Sequence, residues 1–199
     1  MHFDKIPFLV VLLAATNCFS QNEARTDIRD VTKLNFFDPG ISYEKRIGKL
    51  QSLTAQAFLS TAIYIGYSDA LGNTSSIDVY PALSLQYRYY YNAAKRIAKG
   101  KRTEMNSLNY VTAIAEVDFY REQLSFTEDD LRTLKVFGIA WGLQRNYPKR
   151  FSLDLSVGLG YVFSKQTTIN DAGELLTETT GAVTNIGQIG FGFWLNKRD

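Results

Sequence analysis

The sequence predicts an all-β chain, an eight-stranded antiparallel up-and-down transmembrane β-barrel. Period-two alternation of large apolar and small polar residues runs from about residue 50 to the C-terminus, which is strand patterning. Tyr and Phe number 12 and 13 against only 4 prolines, a composition that suits strands. Connections between the alternating segments are short and long in turn, as in outer-membrane barrels.

At the N-terminus, Lys5 precedes the apolar run Ile6 to Ala15, and Cys18 and Ser20 occupy the −3 and −1 positions of a cut before Gln21. Residues 1–20 are therefore expected to be a secretory signal and 21–199 the barrel domain. The run is too short to span a bilayer as a helix. Cys18 also raises lipidation, but Asn17 stands where a small residue is expected. With that cut the mature chain has neither Cys nor His, since His2 and Cys18 both precede it.

The strands follow in order. Ile28 to Phe37 is expected to supply the first, turning at Asp38-Pro39-Gly40, with the next ending near Ile47. Pro early in a turn and Gly for positive φ suit that turn. Gln51–Ser68, Asp78–Asn92, Leu108–Tyr120, Leu134–Gln144, Phe151–Ser164 and Val183–Asn196 complete the count. The clearest is Phe151–Ser164: Phe151, Leu153, Leu155, Val157, Leu159, Tyr161 and Phe163 share one face, opposite Ser152, Asp154, Ser156, Gly158 and Gly160. Ala70–Ile77, Arg121–Arg132 and Lys165–Gly181 read as long loops; Gly48–Leu50, Ala93–Met105 and Asn146–Arg150 read as the turns at the other end.

Polarity decides between two barrels. A soluble, lipocalin-like ligand-binding barrel would turn the large apolar face inward. The opposite face is Gly-, Ser-, Ala- and Gln-rich with few charges, a poor solvated surface that suits a narrow interior filled by side chains. The apolar face is therefore expected to look outward, toward lipid. Glu44, Arg46, Arg88, Glu116, Asp118 and Asp154 then point into the lumen, where charges must be paired. An interior network joining Arg46 and Arg88 to the carboxylates is expected, with a structural role. Aromatic girdles are expected at Tyr87, Tyr89 and Tyr91, at Phe119 and Tyr120, at Tyr147 and Phe151, and at Phe193 and Trp194. Basic residues such as Lys49, Lys95, Lys101 and Lys149 gather at the short-turn end, where they would meet anionic headgroups.

The aromatic, Gly-rich last strand (Gly190-Phe191-Gly192-Phe193-Trp194-Leu195), with the segments Asp38 to Glu44 and Pro81 to Asn92, resembles small bacterial outer-membrane β-barrel proteins of an uncharacterised group. The resemblance implies the cell outer membrane as location and outer-membrane lipids as partners. It carries no catalytic residues, and Asn196 to Asp199 extend past the terminal aromatic usual in that group.

Without histidine in the mature chain, a Ser-His-acid triad and a His-bearing zinc site are excluded. No cofactor, metal or catalytic residue is assigned, and no enzyme activity is expected. A net charge of +2 without a binding module argues against nucleic acid. Eight strands leave no water channel. The expected role is structural, or an interaction through residues 165–181. The alternatives are the soluble barrel and a histidine-free lipid-acting enzyme using Glu116 and Asp118.

Overall fold

Alternating segments fold into eight antiparallel strands in a computed structural model that describes residues 28–68, 72–121, 131–169 and 175–196. The signal and Cys18 lie outside the described residues. The strands are β1 (Val31–Asn35), β2 (Gly40–Arg46), β3 (Gln51–Ser68), β4 (Gly72–Tyr90), β5 (Asn109–Arg121), β6 (Leu131–Asn146), β7 (Phe151–Ile169) and β8 (Leu175–Trp194). Each pairs with its sequence neighbour, and β1 pairs with β8, which closes the ring.

Closure rests on one short seam. Lys33 faces Trp194, Leu34 faces Phe193 and Asn35 faces Gly192. Backbone bonds from Phe36 N to Phe191 O (2.7 Å) and from Leu195 N to Thr32 O (2.8 Å) flank these pairs. Above this seam the cylinder is incomplete. The β1–β2 hairpin is 5 and 7 residues long, whereas its outer neighbours β3 and β8 have 18 and 20. The last backbone–backbone bond among the described residues on the β3 side runs from Leu59 N to Pro39 O, and no ladder among them joins β3 to β8 beyond it. The expectation of an eight-stranded up-and-down transmembrane β-barrel is therefore corrected. The sheet is a closed barrel at its base and an open sheet, β3 through β8, above. The physical reason is reach: a strand cannot pair past the end of its partner.

Two further expectations change. Residues 70–77 and 165–181 are largely strand rather than loop: the β3–β4 ladder runs to Ser68 opposite Gly72, and β7–β8 to Ile169 opposite Leu175. Polar, Thr-rich outer positions hide a ladder that backbone bonds nonetheless complete. The first hairpin turns through Phe36–Pro39, and the positive φ belongs to Asp38 (48°). Gly40 is needed for closeness instead: a Cβ there would lie 2.3 Å from Ala57 O and 2.6 Å from Phe58 Cα.

The base is sealed by a small apolar core of Ile28, Tyr90, Ala93, Leu108 and Tyr110. The connection after β4 holds a short helix α1 (Ala93–Ala98) and a 3-10 turn at Glu104–Asn106. Asn106, buried at positive φ (59°), exchanges two 2.8 Å bonds with the backbone of Arg29. The entering chain is thereby tied to the barrel floor. Asn tolerates this left-handed conformation better than most residues.

Side-chain polarity follows the pleat. Val157 is 61% exposed, Leu159 56% and Ile139 67%, while Ser52, Thr54, Gln86 and Arg88 are buried. The large apolar residues thus line the outer wall and the small polar ones the interior. This is the reverse of what a lipocalin-like ligand barrel needs, so that alternative is removed. From Phe151 to Phe163 the outward face of β7 rises about 31 Å, taking ~3.4 Å per residue and a tilt of ~40°. That is comparable with the ~25 Å apolar band and flanking girdles of known barrels. Tyr87, Tyr91, Tyr147, Phe151 and Phe193 sit on that wall, but Trp194 does not. It is buried, and its Nε1 donates to Tyr147 O at 2.9 Å. No helix among the described residues is long and apolar enough to cross a membrane.

Candidate functional site

The interior has three levels. The lowest is a plug of charged and polar side chains supplied by seven strands. Asp154 on β7 accepts from Arg88 Nη1 on β4 (2.8 Å), from Lys33 Nζ on β1 (3.0 Å) and from the Tyr110 hydroxyl on β5 (2.6 Å). Arg88 also reaches Gln86 Oε1 through Nε and Nη2, at 3.0 and 2.7 Å, and its guanidinium lies 4.3 Å over the Tyr110 ring. Gln144 on β6 accepts from both Lys33 and Arg88, and passes its own amide hydrogen to Glu44 on β2 at 3.1 Å. Glu44 is completed by the Ser52 hydroxyl (2.7 Å) and the Tyr90 hydroxyl.

Two cations and two carboxylates thus balance inside a space with almost no room left. The cavity beside them, bordered by Lys33, Arg88 and Asp154, has a volume of about 10 Å³, enough for at most one water. Among the described residues, no path for ions along the axis is open at this level.

Above the plug, three glutamines form a rung across the lumen. Gln86 on β4 donates to Gln188 on β8 at 3.2 Å, and Gln188 donates to Gln56 on β3 at 3.0 Å. Over that rung lies a chamber of about 240 Å³, bordered by Glu116, Ser156, Thr184 and Gln188 and by the apolar Ile114, Val136, Val162 and Ile186. Asp118, on the same inward face of β5 as Glu116, is 4% exposed, and its Oδ1 has no hydrogen-bond partner.

The six residues singled out from the sequence therefore divide. Arg88, Asp154 and Glu44 meet in the plug. Glu116 stands apart at the border of the chamber, and Asp118 lies two residues further along the same face of β5. Arg46 is not in the lumen at all: it is exposed, with Nε donating to Gly48 O at 3.2 Å. It shares parity with Glu44, but it ends its strand, and at a rim parity no longer dictates direction. Lys33 supplies the second interior cation instead, 3.0 Å from Asp154. Its place on the inward side of the shortest strand was legible only as alternation with Val31 and Asn35. Outside the barrel, Asp30 gathers Lys45 Nζ (2.6 Å), Arg46 N (2.8 Å) and the Tyr43 hydroxyl (3.1 Å). The Lys45 bond foremost, then the Arg46 amide, holds its carboxyl below the usual range. At the first hairpin, burial pushes Asp38 upward.

No group of His, Cys, Asp or Glu among the described residues is arranged to hold a metal ion. No family model, curated protein or solved structure matches the chain. The resemblance to small outer-membrane barrel proteins is thus left without a relative and is withdrawn. The compartment and the lipid partners that were implied by it go with it. Residues 165–181, expected as an interaction loop, are mostly paired strand, which removes the ground for assigning a partner there.

Proposed function

We propose that the chain is a non-catalytic, non-conducting β scaffold whose outer wall works against hydrocarbon. The observation that supports this most is the inverted polarity of the closed base: buried ion pairs and amides within, exposed Leu83, Leu85, Ile139, Val157 and Leu159 without. A contiguous apolar surface of that extent needs a partner of its own chemistry. The packed plug supports the absence of conduction, because among the described residues it leaves no water-filled route through the base.

Val157, mid-height on β7, gives the test. Val157→Arg places a charge on the wall. It is expected to destabilise the bilayer-folded protein by about 2–4 kcal/mol if that wall meets hydrocarbon, and by no more than about 0.5 kcal/mol if it meets water. Urea titration in lipid vesicles reads the difference. The smaller value overturns the reading, as does step conductance by the wild-type protein in a planar bilayer.

A further inference from the structure

The notch above the β1–β2 hairpin and the chamber behind it form one feature. Two strands that stop early leave a gap of three inter-strand spacings along the wall, about 14 Å at ~4.8 Å each. The chamber reaches this gap. Asn185 and Gly187, from the outward series of β8, border it together with the inward Thr184, Ile186 and Gln188. A cavity touched by both faces of one strand extends to that strand's free edge. Ala182 and Thr184 are inward by register yet exposed, unlike their counterparts Gly190 and Gly192 lower on the same strand. The outer wall also changes character here, from Ile189 and Phe191 to Asn185 and Gly187.

Free strand edges at the level of an apolar wall are tolerated only where they line a wet or occupied cavity. The chamber, at about 240 Å³, far exceeds the ~10–15 Å³ one water needs. Its lining is divided. Ile114, Val136, Val162 and Ile186 offer an apolar side, while Glu116 is an acceptor at the border. Close by on the same strand face, the buried Asp118 Oδ1 lacks a donor. The plug's two cations lie beneath the glutamine rung and are spent on Asp154.

We propose that this chamber is a lateral binding site for a single-chain amphiphile with a cationic, hydrogen-bond-donating head, an alkylamine in its simplest form. The molecule enters sideways through the notch. Its head takes the acceptors of Glu116 and Asp118, and its chain lies against Ile114, Val136, Val162 and Ile186. The proposal rests on the hydrocarbon-facing reading of the wall, since that is where such a molecule would come from.

Dodecylamine and dodecanoic acid, titrated separately into the detergent-folded full chain and followed by native mass spectrometry, test it. One-to-one binding of the amine is expected, about tenfold or more tighter than the acid, as a charge-assisted hydrogen bond allows. Glu116→Gln with Asp118→Asn is expected to abolish that preference. Val136→Trp, which fills the chamber, is expected to abolish binding of either probe. Equal binding of acid and amine overturns the head assignment. Amine binding unchanged in Val136→Trp, or adducts that grow without saturating, overturns the site. Should the variants fail to fold, the amine-to-acid ratio of the unaltered chain still decides the head assignment. The Val157→Arg measurement is independent: its failure removes the hydrocarbon-facing wall while leaving one-to-one amine binding readable.

Discussion

Substituting Arg88 and Asp154 singly and together tests whether the plug acts as one electrostatic unit. The pair is 2.8 Å apart with side chains 2% and 15% exposed. Removing one partner of such a buried pair costs about 3–5 kcal/mol. Arg88→Met leaves Asp154 still held by Lys33 and the Tyr110 hydroxyl, so the low end, about 3 kcal/mol, is expected. Asp154→Leu leaves Lys33 and Arg88 facing Glu44 alone, with Gln144 between them; about 5 kcal/mol is expected. The double variant restores one cation to one carboxylate. Its cost should fall near 5 kcal/mol rather than the sum of about 8, a coupling of about 3 kcal/mol. Urea unfolding of the micelle-folded protein, read by fluorescence of Trp141 and Trp194, measures all three. Additivity within about 0.5 kcal/mol refutes the argument, because independent sites behave that way.

Gly142 lies under the Tyr110 ring, where a Cβ would come within 2.3 Å of Cζ. Gly142→Ala should therefore cost about 1–3 kcal/mol through overpacking, and a paired Tyr110→Phe change should relieve it only in part, since the ring carbon Cζ at 2.3 Å stays when the hydroxyl oxygen at 2.6 Å is removed. Asp30 gives a pH test. Its folded pKa lies below 3.8, so its contribution is present above that value and lost as pH falls through the folded pKa. The stability difference between wild type and Asp30→Asn should be measurable at neutral pH and vanish well below pH 3.8; a difference that persists in acid would show that the carboxylate charge is not its source.

Much of the interior could be anticipated from alternation alone. Ser52, Thr54, Gln86, Arg88, Asp154 and Gly190 all lie on the face that period two assigns to the lumen. Leu155, Val157 and Leu159 take the opposite one. A strand's two faces are set by its pleat, a local property written in every second residue, so inside and outside were legible without a partner in view. How far each ladder runs was not. That depends on where the neighbour stops: Asn35 and Gly40 end the first hairpin low on the wall, while Ser68 and Leu175 belong to strands that continue past it. The exchange of Arg46 for Lys33 has the same origin. Both occupy inward parity, but one sits at an exposed rim and the other beside Trp194 in the seam, paired with Asp154. Patterning is a property of one strand; the seam, the notch and the company a charge keeps are properties of several strands meeting, and only folding brings those together.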